Sequence, residues 1–398
     1  AIDQAIDDDF IHVAAGTYVE NVTINNTSIS LIGESPGTTI IDGNRLDRVL
    51  TINGDASSNI SNFTFTNGYA HVPGSTGRGD DGGGIHIESG SLVLNNSIIK
   101  DNEAADWGGG ISSINNAVFN NVLINNNTGN GGAVHISSST ARFNQCSITN
   151  NYSEFGIWSQ NDGVIDIYNS IIFNNEGYEI ETRLNENSPA AVINVYYSNV
   201  EGGSNGINTN DYGTINLNST IDVDPMFVDT ANGNYHLLAS SQLINAGHPD
   251  STDSDGTVAD IGTYPYLNSY SGPTWYVQTD GSDTEGTGST DSPFSSIQSA
   301  INFATTDGDS VTVAAGTYVE NVEIRNRNIK LAGVNKNTTI IDGGAVAPVI
   351  SLFSSEPNTI SNFTIQNGFT TWRGSGINAN ESPVYIDNVI FTDNPGHH

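Results

Sequence analysis

Basic residues and cysteine are scarce in this chain of 398 residues, and each shortage excludes a class of protein. The 11 Lys and Arg face 44 Asp and Glu, which gives a formal net charge of −33. A surface with so much negative charge repels nucleic acid, so we expect no nucleic-acid partner. The single cysteine, Cys146, excludes an internal disulfide framework and a thiolate metal site. We expect Cys146 to be a small core residue.

Long apolar runs are also missing. No run approaches the roughly 18 residues of a transmembrane helix, so we expect no membrane insertion. No signal peptide is visible, although Ala1 falls inside a repeating unit. What is present is a series of short β-branched runs separated by Gly, Asn and Ser, a composition that predicts strands and tight turns.

The longest internal repeat spans 300 residues. Residues 13–22 read Val-Ala-Ala-Gly-Thr-Tyr-Val-Glu-Asn-Val, and the same ten residues return at 313–322. The offset holds without a gap at 40–43 against 340–343, and again at 60–64 against 360–364. The chain therefore contains one long unit followed by the first part of a second copy.

A shorter period of about 24 residues lies within the first unit. Three series share it: Ile85, Ile111, Val134 and Ile157; Ile99, Ile124, Ile148 and Ile172; Asn102, Asn127, Asn151 and Asn175. Each repeat of this length would form one rung, that is, one turn of a coil of short strands. A single rung cannot bury its apolar face, but stacked rungs form one continuous core. The pattern predicts an all-β fold, a right-handed parallel β-helix, in which the asparagines form a ladder from rung to rung. A β-sandwich would not keep one column of residues in register.

The order of segments predicts the domain organisation. We expect a first β-helix at 1–220, a unit-closing segment with an acidic turn at 221–264, a linker at 265–273 and a second, truncated β-helix at 274–398. A short amphipathic helix is predicted at 292–304, with Ser292 as its N-cap and Pro293 at its first position. Such a helix would cover the open end of the second core.

Several segments carry a resemblance to a known family. A Tyr-Val pair at Tyr276, a Gly-Ser-Asp turn at 281–283, a Pro-Phe-x-x-Ile-Gln-x-Ala helix at 293–300 and the decapeptide at 313–322 occur in this order. In this the chain resembles secreted bacterial proteins of the pectin-lyase-like β-helix superfamily, including large surface proteins with tandem units. The resemblance implies an extracellular, cell-surface protein. It is weakly specific for function, because the superfamily includes lyases, glycosidases, adhesins and filaments.

A groove that grips a sugar chain is one interpretation of the outward-facing residues. His86 and His135 share a column with Ser112 and Trp158, and Asp106 and Trp107 lie close by in sequence. Asp106, Trp107, His86, His135 and Trp158 are therefore our candidate glycan-binding residues. The alternative is that they are ordinary outward residues of neighbouring rungs.

No catalytic set stands out. Polysaccharide lyases of the resembled superfamily typically use Lys or Arg as the base, and this chain has only three lysines. Lys100 is expected at an exposed ladder position, and Arg142 stands alone on its rung. A glycosidase would need two or three acids that face each other on adjacent rungs.

Calcium is the cofactor that the sequence favours most. Asp250, Asp253, Asp255 and Asp260 place hard oxygen ligands around a glycine turn at Gly256. The match to a calcium loop is partial, and the alternative is a solvated acidic turn.

Two functions remain open. The first hypothesis is a non-catalytic stalk, adhesin or filament that is built from tandem units and contacts other copies end to end. The alternative is a secreted polysaccharide lyase or glycosidase that binds a glycan along the β-helix groove.

Overall fold

The computed structural model describes residues 1–71, 78–183, 189–210, 213–353, 356–371 and 374–395. It is an all-β parallel solenoid of about 14 rungs in the described residues, which confirms the predicted fold class. Contacts divide the chain into two units. The first contains Ala1–Pro225, Asn245–Asp253 and Val258–Pro265, and the second contains Met226–Ile244, Ser254–Thr257 and Tyr266–His398. The predicted closing segment is thus shared between the two units.

Three parallel sheets form the walls of the first unit. The first sheet (sheet 1) has nine strands along its main path: Asp9–Val13, Ile29–Gly33, Ser57–Ser61, Ser91–Lys100, Ala117–Asn125, Thr140–Asn144, Val164–Tyr168, Val192–Tyr196 and Thr214–Asn218. Six more strands pair alongside this path: Gly16–Val19, Thr39–Asp42, Thr64–Thr66, Ser147–Thr149, Ile171–Phe173 and Asn199–Val200. The second sheet (sheet 2) consists of Val22–Asn25, Leu50–Asn53, Ile85–Ile87, Ile111–Ser113, Val134–Ser137, Phe155–Gln160, Tyr178–Arg183 and Ile207–Asn208. The third and shortest (sheet 3) consists of Tyr69–Ala70, Glu103–Ala104, Thr128–Gly129 and Tyr152–Ser153. In the part of this unit that the structure describes, three 3-10 helices accompany the sheets: Ile2–Gln4, Arg78–Asp80 and Gly203–Gly206.

The apolar series predicted from spacing form the core of this unit. Ile85, Ile111, Val134 and Ile157 pair in register across sheet 2. Ile99, Ile124, Ile148 and Ile172 pair in register across sheet 1. All eight side chains are fully buried. Cys146 is also buried in this core, as predicted, and its burial raises the pKa of the thiol to about 12.

The predicted asparagine ladder is present and runs in one direction. Nδ2 of Asn102 donates to Oδ1 of Asn127 at 3.0 Å, Asn127 donates to Asn151 at 3.0 Å, and Asn151 donates to Asn175 at 2.8 Å. The residue before a ladder asparagine has the left-handed backbone of the turn, as at Asn126 with a φ of 55°. Two neighbouring residues therefore divide these roles: one makes the ladder hydrogen bonds and the residue before it forms the left-handed turn.

The described part of the second unit also contains three parallel sheets, with fewer rungs. Its sheets consist of Thr274–Val277, Ser310–Val313, Lys330–Gly333, Asn358–Ser361 and Val384–Asp387; of Gly316–Val319, Thr339–Asp342, Thr364–Gln366 and Ile390–Thr392; and of Val322–Arg325, Ile350–Phe353 and Ile377–Ala379. An antiparallel pair, Phe227–Asp229 with Asn234–Leu237, and a 3-10 helix, Thr230–Asn232, precede them.

The predicted helix exists but begins later than expected. It spans Ile297–Phe303, and its N-cap is Ser296, whose side chain accepts a hydrogen bond from the backbone N–H of Ser299. The prediction of Ser292 as N-cap was wrong because Phe294 is held in extended backbone. Its N–H donates to Tyr276 O at 3.0 Å, and its own carbonyl accepts from Gln278 N at 2.9 Å.

The 300-residue repeat extends to individual hydrogen bonds. Nδ2 of Asn21 donates to the carbonyls of Gly43, Asp47 and Arg48, and Nδ2 of Asn321 donates to those of Gly343, Ala347 and Pro348. The decapeptide therefore has the same structural role in both units, since its asparagine holds the following turn through three hydrogen bonds.

Candidate functional site

The structure brings the five predicted glycan-binding residues together in the first unit. His86, Ser112, His135 and Trp158 pair in one register across sheet 2, as the sequence predicted. The Trp107 ring lies 5.0 Å from that of His135 and 5.2 Å from that of Trp158, between ring centroids. Burial of Asp106 and its neighbour Asp80 raise the pKa of the Asp106 carboxyl.

Three members of this cluster are buried, which the alternation of the sequence did not indicate, and Asp106 and Trp107 are half-buried. His86, His135 and Trp158 are 4%, 1% and 4% exposed. Trp107 and Gly131 cover them closely, since a Cβ added at Gly131 would lie 2.5 Å from Trp158 Cζ3 and 2.7 Å from Trp107 Cδ1. A ring this deeply covered offers no face to a sugar, so the cluster is better explained as packing between sheet 2 and the loops above it.

The one serine–histidine contact in the cluster is also buried. Ser112 Oγ lies 3.2 Å from His135 Nδ1, which is hydrogen-bond distance. Such a pair resembles part of a nucleophilic site. Ser112 is fully buried and no substrate atom could reach its hydroxyl in this conformation.

A different surface of the first unit forms an open groove of about 640 Å³. We call it the tyrosine groove. Its lining consists of Glu103, Ala104, Ala105, Thr128, Gly129, Asn130, Tyr152, Ser153, Glu154, Phe155, Glu176, Gly177 and Tyr178. Tyr152 is 62% exposed and Tyr178 is 43% exposed, so both rings are open to solvent.

Sheet 3 positions the lining residues of the groove, because outward-facing and buried residues alternate along its strands. Each of its strands has only two residues, and in each the first faces outward while the second is buried. Glu103, Thr128 and Tyr152 are the outward residues on successive rungs. Glu176 continues the column, because its N–H donates to Asn151 O as the N–H of Tyr152 donates to Asn127 O.

Small residues keep the groove floor low. At Gly177 the backbone has a φ of 83°, and an added Cβ would lie 2.2 Å from the carbonyl oxygen of Glu154. Only glycine fits this approach without a shift of the backbone. Glu154 and Glu176 therefore lie on adjacent rungs with little bulk between them.

Sequence reasoning missed the groove, although a signal was present. Each outward residue of the column directly follows a ladder asparagine: Glu103 after Asn102, Thr128 after Asn127, Tyr152 after Asn151, and Glu176 after Asn175. The position after each buried asparagine must face outward, so these four residues could have been recognised as one surface column.

The remaining candidate bases lie outside the groove. Lys100 is half-exposed and its Nζ lies 3.6 Å from a carboxylate oxygen of Asp101. The guanidinium carbon of Arg142 lies 4.8 Å over the Tyr168 ring, which itself stacks on Tyr196 at 4.8 Å. Both side chains are on the sheet 1 side and neither lines the groove.

The acidic turn uses its carboxylates as hydrogen-bond acceptors. Asp253 accepts from Asp260 N at 2.7 Å, and Asp260 accepts from Asn245 N at 2.7 Å. In the second unit, burial opposes ionisation of Asp255, but hydrogen bonds from Asn268 and Thr257 lower its pKa overall. Asp250 takes part through its backbone N–H, which donates to His248 Nδ1 at 3.1 Å.

Within the described residues no group of three or more His, Cys, Asp or Glu side chains is arranged to hold a metal ion. The calcium site at Asp250, Asp253, Asp255 and Asp260 therefore stays a prediction from sequence. A chelator that lowers the melting temperature would support it. In the part of the chain that the structure describes, no helix is long and apolar enough to cross a membrane.

Comparisons with known proteins add little. No family model and no curated protein matches the chain. Among solved structures, it is similar to a PL6 family alginate lyase, AlyGC, with 11% identity and a TM-score of 0.21 over 98% of this chain and 74% of that one. A mutant of the same enzyme gives 12% identity and a TM-score of 0.22 over 98% and 76%. Values this low carry no argument about substrate or chemistry.

Proposed function

We propose that the first unit binds a polysaccharide chain along the tyrosine groove. The observation that carries this proposal is the pair of exposed rings, Tyr152 and Tyr178, in the lining of an open cavity. Exposed aromatic rings next to hydrogen-bonding side chains suit sugars, which present an apolar face and a polar edge. Thr128, Asn130 and Glu154 supply such polar groups within the lining.

A hydrolytic reaction fits this groove better than elimination does. Polysaccharide lyases of the resembled superfamily typically use Lys or Arg as the base for elimination, and neither is among the lining residues. Hydrolysis needs two carboxyl groups that flank the bond, and Glu154 and Glu176 lie on adjacent rungs. A glycosidase is therefore the enzyme class that we propose, with Glu154 and Glu176 as the pair.

The stalk or adhesin role stays a prediction from the tandem copies. Nothing in the geometry of the described residues favours it over glycan binding, and the two can occur in one protein. The groove supports glycan binding because two exposed tyrosine rings lie in one cavity beside hydrogen-bonding side chains.

The test is glycan binding by calorimetry with neutral, amino-sugar and uronic-acid polysaccharides. Tyr152→Ala combined with Tyr178→Ala should weaken binding by at least about fivefold, since two stacked rings at roughly 0.5–1.5 kcal/mol each contribute about 1–3 kcal/mol together. The matched control is Tyr385→Ala, a tyrosine of the second unit that is 68% exposed and is not among the lining residues of the groove. Unchanged affinity in the double variant, or no binding to any polysaccharide, would contradict the proposal.

A further inference from the structure

We infer that the tyrosine groove selects glycans that carry protonated amino groups and rejects polymers of uronic acids. This inference rests on the proposed function, since it names the class of glycan that the same groove would take. Its basis is the charge distribution along a cavity whose aromatic rings already indicate a sugar ligand.

The lining carries negative charge only. Glu103, Glu154 and Glu176 lie in the groove, and none of its lining residues is basic. Among the described residues, no ion pair involves Glu154 or Glu176. Two basic residues approach the lining from outside. Arg45 is paired with Glu103 and lies 4.9 Å over the Tyr69 ring, and Arg183 is paired with Glu181 and lies 5.1 Å over the Phe155 ring. Both cations therefore have another carboxylate as partner, which leaves Glu154 and Glu176 without an ion pair among the described residues.

The carboxylates are spread over a length that suits a polymer. Glu103 and Glu176 are separated by three rungs, which corresponds to roughly 14 Å at the spacing of parallel strands. That span exceeds one monosaccharide. A ligand that meets both ends must be a chain of several sugars, with Tyr152 stacked between the ends.

Charge then determines which chain binds. A uronic acid carries a carboxylate on every sugar, and like charges in a concave site repel. An amino sugar places a cation beside the same carboxylates. Because exposed ion pairs are each weak, we expect a preference of about tenfold for the cationic chain over its neutral form. The preference should shrink in 1 M salt, where the screening length falls to about 3 Å.

The experiment compares three short oligosaccharides of equal length: an N-acetylated hexosamine chain, its N-deacetylated form at a pH that protonates the amines, and a uronic-acid chain. The expected order of affinity is deacetylated, then acetylated, then uronic. No binding by any of them would overturn the proposed function and this inference together. Equal binding of all three would overturn the inference alone.

A matched pair of variants separates the groove from the overall charge of −33. Glu154→Gln with Glu176→Gln should bring the affinity ratio of the deacetylated to the acetylated chain close to one. Glu20→Gln with Glu34→Gln changes the net charge equally at exposed positions outside the groove, and should leave that ratio unchanged. A ratio that persists in the groove variant would show that general charge attraction, and not the groove, causes the preference.

Discussion

Glu179 accepts two hydrogen bonds from Asn175, one from its backbone N–H at 3.1 Å and one from Nδ2 at 2.6 Å. Each earlier asparagine of the buried ladder donates its backbone N–H and its Nδ2 to a single amide oxygen of the next asparagine. At the last rung the two carboxylate oxygens of Glu179 accept these hydrogen bonds instead, which introduces a buried carboxyl. Burial, together with the nearby Glu201, raises the pKa of Glu179 to about 8.

This carboxyl should make stability depend on pH. Because its folded pKa is raised, the folded state binds the proton more tightly, so the contribution is complete below about pH 4.5 and is lost as pH rises through 8. We expect Glu201→Gln, which removes the neighbouring negative charge, to reduce the loss of unfolding free energy between pH 5 and 8 by roughly 1 kcal/mol or more. Denaturant unfolding at several pH values would measure it. Glu34→Gln is the control, and an identical pH slope in Glu201→Gln and the native chain would contradict the account.

A buried and a half-exposed asparagine ladder of the first unit should differ in their contribution to stability. Asn127 lies in the buried ladder and donates to Ile99 O, Asn125 O and Asn151 Oδ1. Asn127→Ala would leave several buried groups unsatisfied and should cost about 3 kcal/mol or more. Asn120 belongs to a half-exposed ladder on sheet 1, where it donates to Asn95 Oδ1 at 2.8 Å. Asn120→Ala should cost less than about 1 kcal/mol, because water can replace the lost partner. Equal losses of unfolding free energy would show that burial does not govern the ladder.

The 300-residue repeat provides a matched control for the contribution of Glu320 to the helix Ile297–Phe303. Glu320 accepts hydrogen bonds from the N–H groups of Ile297 and Gln298 at 2.9 and 3.0 Å. Glu20 occupies the same place in the first unit, where its side chain is exposed. Glu320→Ala should lower stability by about 1–3 kcal/mol, whereas Glu20→Ala should change it by less than about 0.5 kcal/mol. Thermal unfolding of both variants checks this, and a larger effect from Glu20→Ala would refute the assigned role of Glu320.

The buried histidine cluster should affect stability and not ligand affinity. His135→Ala removes a ring that packs 4.6 Å from Trp158 and 5.0 Å from Trp107, between centroids. We expect a loss of about 2–4 kcal/mol from the cavity left behind. Glycan affinity, measured on the fraction that remains folded, should stay within about twofold of the native value. A well-folded His135→Ala chain that no longer binds glycan would place the site at the cluster.

Much of the fold could be predicted from spacing alone. A rung of fixed length places Ile85, Ile111 and Val134 in one column, and it does the same for the asparagine ladder. The start of the helix could not be predicted, because Ser292 and Ser296 are both good caps. The choice between them depends on pairing between Phe294 and Tyr276, which are distant in sequence.

The candidate site was less predictable for a similar reason. Strand alternation correctly places His135 and Trp158 on the outer side of sheet 2, but it does not reveal that Trp107 covers them. Conversely, Tyr152 attracts no notice in the sequence, although its place after Asn151 shows that it faces outward. Whether an outward-facing column of side chains stays exposed to solvent depends on the loops that pass over it. The repeat period of the sequence does not determine the path of those loops.

The most direct test of the central claim is a crystal structure of the chain with a bound oligosaccharide. We predict sugar rings stacked over Tyr152 and Tyr178, with the chain running past Thr128 toward Glu103. An oligosaccharide bound at another surface while the tyrosine groove stays empty would contradict the claim.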